Sequence, residues 1–188
     1  DGIAGGEFNF WFRAAAPLAV AEVGVPNRGA RTIVVDKAFT GVTRDGSLAQ
    51  PFNKISDATL AAKPGDIIRL VGDKRTSSMT DDVAYEIGNA GSPVGVLSDG
   101  ATLDVPKGVT LMIDSGAVLK FAGSRILVGS EDATTDRSGA GIQVLGIPGA
   151  PVYFTSHFDQ TIGVDTNPLV TTPNPGNWGG IEIRNDFD

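Results

Sequence analysis

The chain has 188 residues, enough for one domain with a real core, and 41% of them are apolar, which argues against a disordered chain. Net charge is −7 with no run of Lys or Arg, which excludes a nucleic-acid-binding face. Cysteine is absent, which removes disulfides, thiolate metal sites and cysteine nucleophiles, and the single histidine leaves no His or Cys cluster to hold zinc.

In chain order, Phe8, Phe10 and Phe12 alternate with Asn9, Trp11 and Arg13 after a glycine-rich turn, the signature of a strand with an aromatic face. It reads either as an edge strand packed on the body or as a strand that pairs with a neighbouring chain. Residues 14–30 read as a linker, so residues 1–31 form an N-terminal segment and 32–188 the main domain. The longest apolar stretch, 14–25, contains Pro17 and Glu22 and is too short to cross a bilayer, so no membrane insertion is expected.

Thr32 to Asp36 predicts a strand and Lys37 to Ala49 a loop. Residues 52–63 predict the one helix, with Ile55, Ala58, Thr59 and Ala62 on a shared face and Asn53 or Ser56 as the cap. Pro64-Gly65 ends it, and Asp66 to Val71 predicts the next strand. Residues 74–101 read as a polar excursion with one strand-like piece, Val83 to Ile87.

Residues 102–128 carry the clearest pattern. Val109, Leu111 and Ile113 alternate with Thr110 and Met112; Ala117, Leu119 and Phe121 alternate with Val118 and Lys120; Ile126 and Val128 begin a third piece. Period two predicts one buried and one exposed face in each. Three-residue bends at 114–116 and 122–124 suit a chain that winds on and stacks, the logic of a parallel β-helix. After a polar loop at 129–140 the pattern resumes with Ile142, Val144, Val152 and Phe154. A second long loop, 156–178, leads to a final strand from Gly180 to Arg184. Leu111, Ile113, Leu119, Phe121, Val144, Phe154 and Ile183 are expected to stack inside.

Residues 45–73, DGSLAQPFNKISDATLAAKPGDIIRLVGD, resemble the lead-in segment of pectate-lyase-like right-handed parallel β-helix proteins. GVTLMIDSGAVLKF (108–121), GIQVLGIPGAPVYFTS (141–156) and PGNWGGIEIRND (175–186) resemble the β-helix of large secreted bacterial surface proteins. The resemblance implies an all-β, right-handed parallel β-helix solenoid with a short capping helix and an N-terminal strand segment. It also implies an extracellular or cell-surface location. The first residue is Asp and the last residues form a strand, so a longer parent protein or a covering neighbour is expected. The superfamily holds enzymes, adhesins and passive shafts, so it marks fold better than activity.

No catalytic set assembles from sequence. His157 lies beside Ser156 and near Asp159, but adjacency is not triad geometry, and no nucleophile elbow is present; it reads as a solvated loop residue. Asp81-Asp82 lacks the companions of a polygalacturonase-like site and reads as charged loop decoration. Calcium wants six to eight oxygens. Glu131, Asp132 and Asp136 in one loop, and Asp159 and Asp165 in the next, are its candidates for a structural site. Arg137 and Arg184 would be the bases of a calcium-dependent lyase. Trp178 and Tyr153 are the candidates for stacking on a polysaccharide, with packing of the Trp178 indole over a corner as the alternative. Phe8, Phe10, Phe12, Ile181 and Ile183 are the candidate contacts for a neighbouring copy or a flanking domain. The leading expectation is a non-catalytic structural module that assembles head to tail. The alternatives are a polysaccharide-binding adhesin module and, behind it, a calcium-dependent polysaccharide lyase.

Overall fold

The computed structural model describes residues 29–73, 78–130, 134–166 and 172–184. The aromatic segment with Phe8, Phe10 and Phe12 lies outside them, as do Glu131 and Asp132. Among the described residues the protein is mostly sheet with one short helix. The strands are β1 (Thr32–Val35), β2 (Ile67–Leu70), β3 (Tyr85–Gly88), β4 (Leu103–Asp104), β5 (Thr110–Asp114), β6 (Val118–Ala122), β7 (Ser124–Val128), β8 (Gly141–Leu145), β9 (Tyr153–Ser156) and β10 (Trp178–Ile183). The helix is α1 (Ile55–Ala61).

The strands form three small sheets, in the orders β1-β2-β5-β8, β3-β6-β9 and β4-β7-β10. Every pairing between these strands is parallel. β1 and β2 lie side by side in the first sheet; from β2 onward consecutive strands sit in different sheets, and each round of three, such as β5, β6 and β7, visits all of them. Within the round of β5, β6 and β7 the bends are short; Gly123, between β6 and β7, has φ +64, which only glycine adopts without strain.

Register aligns like with like. Ile33, Ile68, Leu111 and Ile142 are partners across the first sheet, and so are Val35, Leu70, Ile113 and Val144. Tyr85, Leu119 and Phe154 align in the second, and Leu103, Ile126 and Ile181 in the third. The inward members of the first two rounds are buried and form one core with Ile55 and Ala58 of α1. Burial of such side chains drives folding at about 25 cal/mol per Å² of apolar surface.

Three expectations are corrected. Val144 and Ile183 occupy inward register positions but are 43% and 72% exposed, because no described residue packs beyond the round of β8, β9 and β10. The α1 cap comes from neither Asn53 nor Ser56. Lys54 stands at the cap position without a side-chain bond, and the Ile55 amide donates instead to Oδ1 of Asp99, 2.9 Å away. Finally, β6 is buried on both faces, Lys120 included, because the loop after β9 lies across its outer side.

Candidate functional site

The outward row of the second sheet is polar: Glu86 on β3 aligns with Lys120 on β6, and Lys120 with Thr155 on β9. Such a row normally faces water. Here residues 157–166 fold back over it and are stitched to the segment before β3. Gly163 N–H donates to Met79 O at 2.9 Å, Val164 N–H to Asp82 O at 2.7 Å, and Ala84 N–H to Val164 O at 2.9 Å. Asp82, read from sequence as loop decoration, is buried in this seam, while Asp81 is exposed. Gly163 permits the close approach: a Cβ there would lie 2.8 Å from Cγ1 of Val118, and its φ of +61 suits glycine.

Under the loop, Lys120 is fully buried and uses its ammonium as a clamp. It donates to Asp159 O at 2.7 Å, to Gly163 O at 2.9 Å and to Oδ2 of Asp165 at 2.7 Å. Gln160 Nε2 adds a bond to the same carboxylate at 3.0 Å. Two carbonyls and a carboxylate converging on one buried cation satisfy both the charge and its donors, as burial requires.

Glu86 is held beside this clamp. Its Oε1 accepts from Thr166 N at 2.9 Å and Thr166 Oγ1 at 2.8 Å, and its Oε2 from Ser98 Oγ at 3.3 Å. Its backbone N–H donates to Oδ2 of Asp99 at 2.7 Å. Asp99 also pairs with Lys37, which reaches in from the turn after β1. One aspartate thus ties α1, β3 and the segment after β1 together.

His157 completes the cluster and is not the solvated loop residue the sequence suggests. Its ring is fully buried; neither ring nitrogen has a hydrogen-bond partner, and Nδ1 lies 3.6 Å from Oε1 of Glu86. Glu86, His157 and Asp165 bring one ligand-type atom each to within 4.8 Å of one another. The sequence reading missed this grouping. Its only local trace is the lysine in the apolar run Val118 to Ala122; the partners come from positions 34 residues before Lys120 and 37 to 45 after it.

Asp159 and Asp165, two of the calcium candidates, both lie in the covering loop. Asp165 faces Lys120. Asp159 accepts from Thr155 Oγ1 at 2.7 Å and from Thr161 N at 2.9 Å and Oγ1 at 2.6 Å. Burial acts to raise the Asp159 carboxyl, but these bonds and the Lys120 charge outweigh it and hold it below the usual range. Asp136 is exposed and paired with Lys107 at 2.5 Å; hydrogen bonds from Lys107 and Ser138 hold its carboxyl low. Arg137 pairs with Asp104 at 3.1 Å, and Arg184 with Glu182.

Trp178 is half-buried against the core. Its ring stacks on Phe154 at 5.3 Å and 10°, and lies 4.2 Å from Phe121. Tyr153 is 38% exposed. An open groove of about 550 Å³ runs beside β7 and β10, with Asn89, Thr102, Arg125 and Glu182 in its walls. Neither Trp178 nor Tyr153 lines it. Ile181 and Ile183 lie on β10, the last described strand of the third sheet.

No sequence family matches the chain, and no characterised protein or solved structure resembles it significantly.

Proposed function

We propose that this protein is a non-catalytic structural module of an extracellular or cell-surface protein, built as a right-handed parallel β-helix that assembles end to end. The succession of strands through three parallel sheets supports the solenoid reading, since a chain winding as a β-helix places one strand per coil in each sheet. Stacked coils with aligned apolar rows make a rigid shaft. The groups most suited to chemistry, Lys120, His157, Glu86 and Asp99, are all buried, and their hydrogen bonds and ion pairs tie elements of the fold together, which supports a structural role.

The observation that carries assembly is the exposed inward row of the last round. Val144 and Ile183 occupy positions that are buried one round earlier, at Ile113 and Val128. They present both an apolar surface and strand edges that pair with no further described strand, which a further coil or a neighbouring copy would cover. The sequence supplies an occupant of suitable chemistry in the segment where Phe8, Phe10 and Phe12 alternate with polar and other residues. A contact of that kind is heterologous and, where its rotation does not close into a ring, propagates into a filament.

Light scattering and negative-stain microscopy of the same sample, with Ca²⁺ and with chelator, test this reading. The expected result is large regular assemblies that Val144→Asp plus Ile183→Asp, or Phe8→Ser plus Phe10→Ser, reduces to monomer. Assembly unchanged in both double variants, or a wild-type monomer in both conditions, overturns it.

One observation favours a polysaccharide-binding module as the second reading: the polar groove between Asn89, Arg125 and Glu182 is open to solvent and of glycan dimensions. Glycan titration followed by calorimetry, with Arg125→Ala as control, discriminates it: heat of binding lost in the variant supports the groove, and no binding by the wild type excludes it.

A further inference from the structure

We infer that Glu86, His157 and Asp165 form a binding site for a divalent first-row transition ion, filled as the 157–166 loop closes over β3 and β6. This goes beyond the structural-module reading and is independent of it.

The first observation is the grouping itself. An imidazole from the covering loop, a carboxylate from the same loop eight residues on, and a carboxylate from the sheet beneath converge with their ligand atoms within 4.8 Å of one another. Around an ion with bonds of about 2.0–2.2 Å, neighbouring ligand atoms sit roughly 3.3 Å apart. The 3.6 Å between Nδ1 of His157 and Oε1 of Glu86 is close to that spacing. It is longer than an ordinary N–H···O hydrogen bond of about 2.7–3.2 Å. The widest of the three separations needs to close by up to roughly 1.5 Å for all three to ligate.

The second observation is the state of the imidazole. Both its nitrogens are buried and lack a hydrogen-bond partner. An orphaned polar group in a dry interior is costly, and metal coordination is one of the few ways to satisfy it there. The two carboxylates, in contrast, are already held by hydrogen bonds: Glu86 by Thr166, both bonds falling on Oε1, and by Ser98; Asp165 by Lys120 and Gln160. Donors to the ligating carboxylates are the usual outer support of a metal centre.

The third is charge. Glu86, Asp99, Asp159 and Asp165 against Lys37 and Lys120 leave the cluster net negative when His157 is neutral, so a cation there is favoured. The donor set selects its class. An imidazole nitrogen with two carboxylates suits Zn²⁺, Co²⁺ or Mn²⁺, whereas Ca²⁺ and Mg²⁺ seek all-oxygen shells. This site therefore differs in metal class from an oxygen-only calcium site at Asp159 and Asp165. Because the ligands are sealed by the loop, the ion enters during folding, and its binding is coupled to loop closure.

The chain has one histidine, so its ring resonances need no assignment. Tag-free protein labelled with ¹⁵N-histidine is unfolded with chelator, refolded with Zn²⁺, with Ca²⁺ or with chelator alone, and desalted. The expected result is about one tightly held zinc per chain, a displaced ring nitrogen resonance, and a melting temperature raised by roughly 5 °C or more over the chelator sample. Ca²⁺ should produce none of these. His157→Gln and Glu86→Gln, each checked for native circular dichroism, should retain zinc at background level. A ring spectrum identical with and without zinc, whether neutral or imidazolium, overturns the proposal even if neither variant folds. Equal zinc retention by wild type and a folded His157→Gln protein also overturns it. Either failure leaves the assembly reading untouched, since that is scored by particle mass.

Discussion

Nζ of Lys120 lies 2.7 Å from Oδ2 of Asp165, and both side chains are wholly shielded from water. The pair joins the middle strand of the second sheet to a loop 45 residues later in the chain. Lys120→Met removes the ammonium and leaves a carboxylate and two carbonyls buried around an apolar chain. The expected loss is about 3–5 kcal/mol. Adding Asp165→Leu should recover part of it, because the pair is then replaced by apolar groups and not merely broken. Urea unfolding of the single and double variants checks this; equal midpoints for wild type and Lys120→Met would refute the clamp.

Asp99 serves three elements at once. It accepts from the first amide of α1 and from the Glu86 amide, and it pairs with Lys37. Asp99→Ala should cost roughly 3–5 kcal/mol, well above the 0.5–2 of an ordinary cap. Asn53→Ala and Ser56→Ala should each cost under about 0.5 kcal/mol if capping were their only role. A urea series ranking either of them above Asp99→Ala would overturn the assignment.

Ile113 sits at the centre of the first sheet, fully buried between Leu70 and Val144 in register. Ile113→Asp places an unpaired carboxylate in the core and should cost more than about 4 kcal/mol, enough to unfold the region. A soluble variant that melts cooperatively near the wild-type temperature would contradict the register.

Asp159 gives the loop an acid sensitivity. Its carboxyl titrates lower folded than unfolded, so its contribution is complete above the unfolded value of about 3.9 and is lost as pH falls through the folded one. The stability gap between wild type and Asp159→Asn should therefore be widest above about pH 5 and shrink below pH 4. Denaturant midpoints of both proteins from pH 3 to 7 measure it; a gap independent of pH would exclude the carboxylate as its source.

Much of the strand content was legible from residues alone, for a local reason. Alternation at Leu111, Ile113, Leu119 and Phe121, with glycine-bearing bends between, constrains each short segment whatever lies elsewhere in the chain. The helix over Ile55 and Ala58 was legible for the same reason. Its cap was not, because Asp99 is 44 residues away from Ile55.

Period two also says which residues share a face, but not what covers that face. The row Glu86, Lys120, Thr155 reads as an ordinary solvated outer face, and His157 as an ordinary loop residue. Only the parallel register that aligns β3 with β6, and the loop 157–166 that closes over both, turn them into a buried charged cluster. That closure depends on contacts between residues tens of positions apart, such as Lys120 with Gly163 and Glu86 with Thr166. Local alternation carries no information about such contacts. The strands therefore belong to the sequence, while the site belongs to the packing of one loop on one sheet.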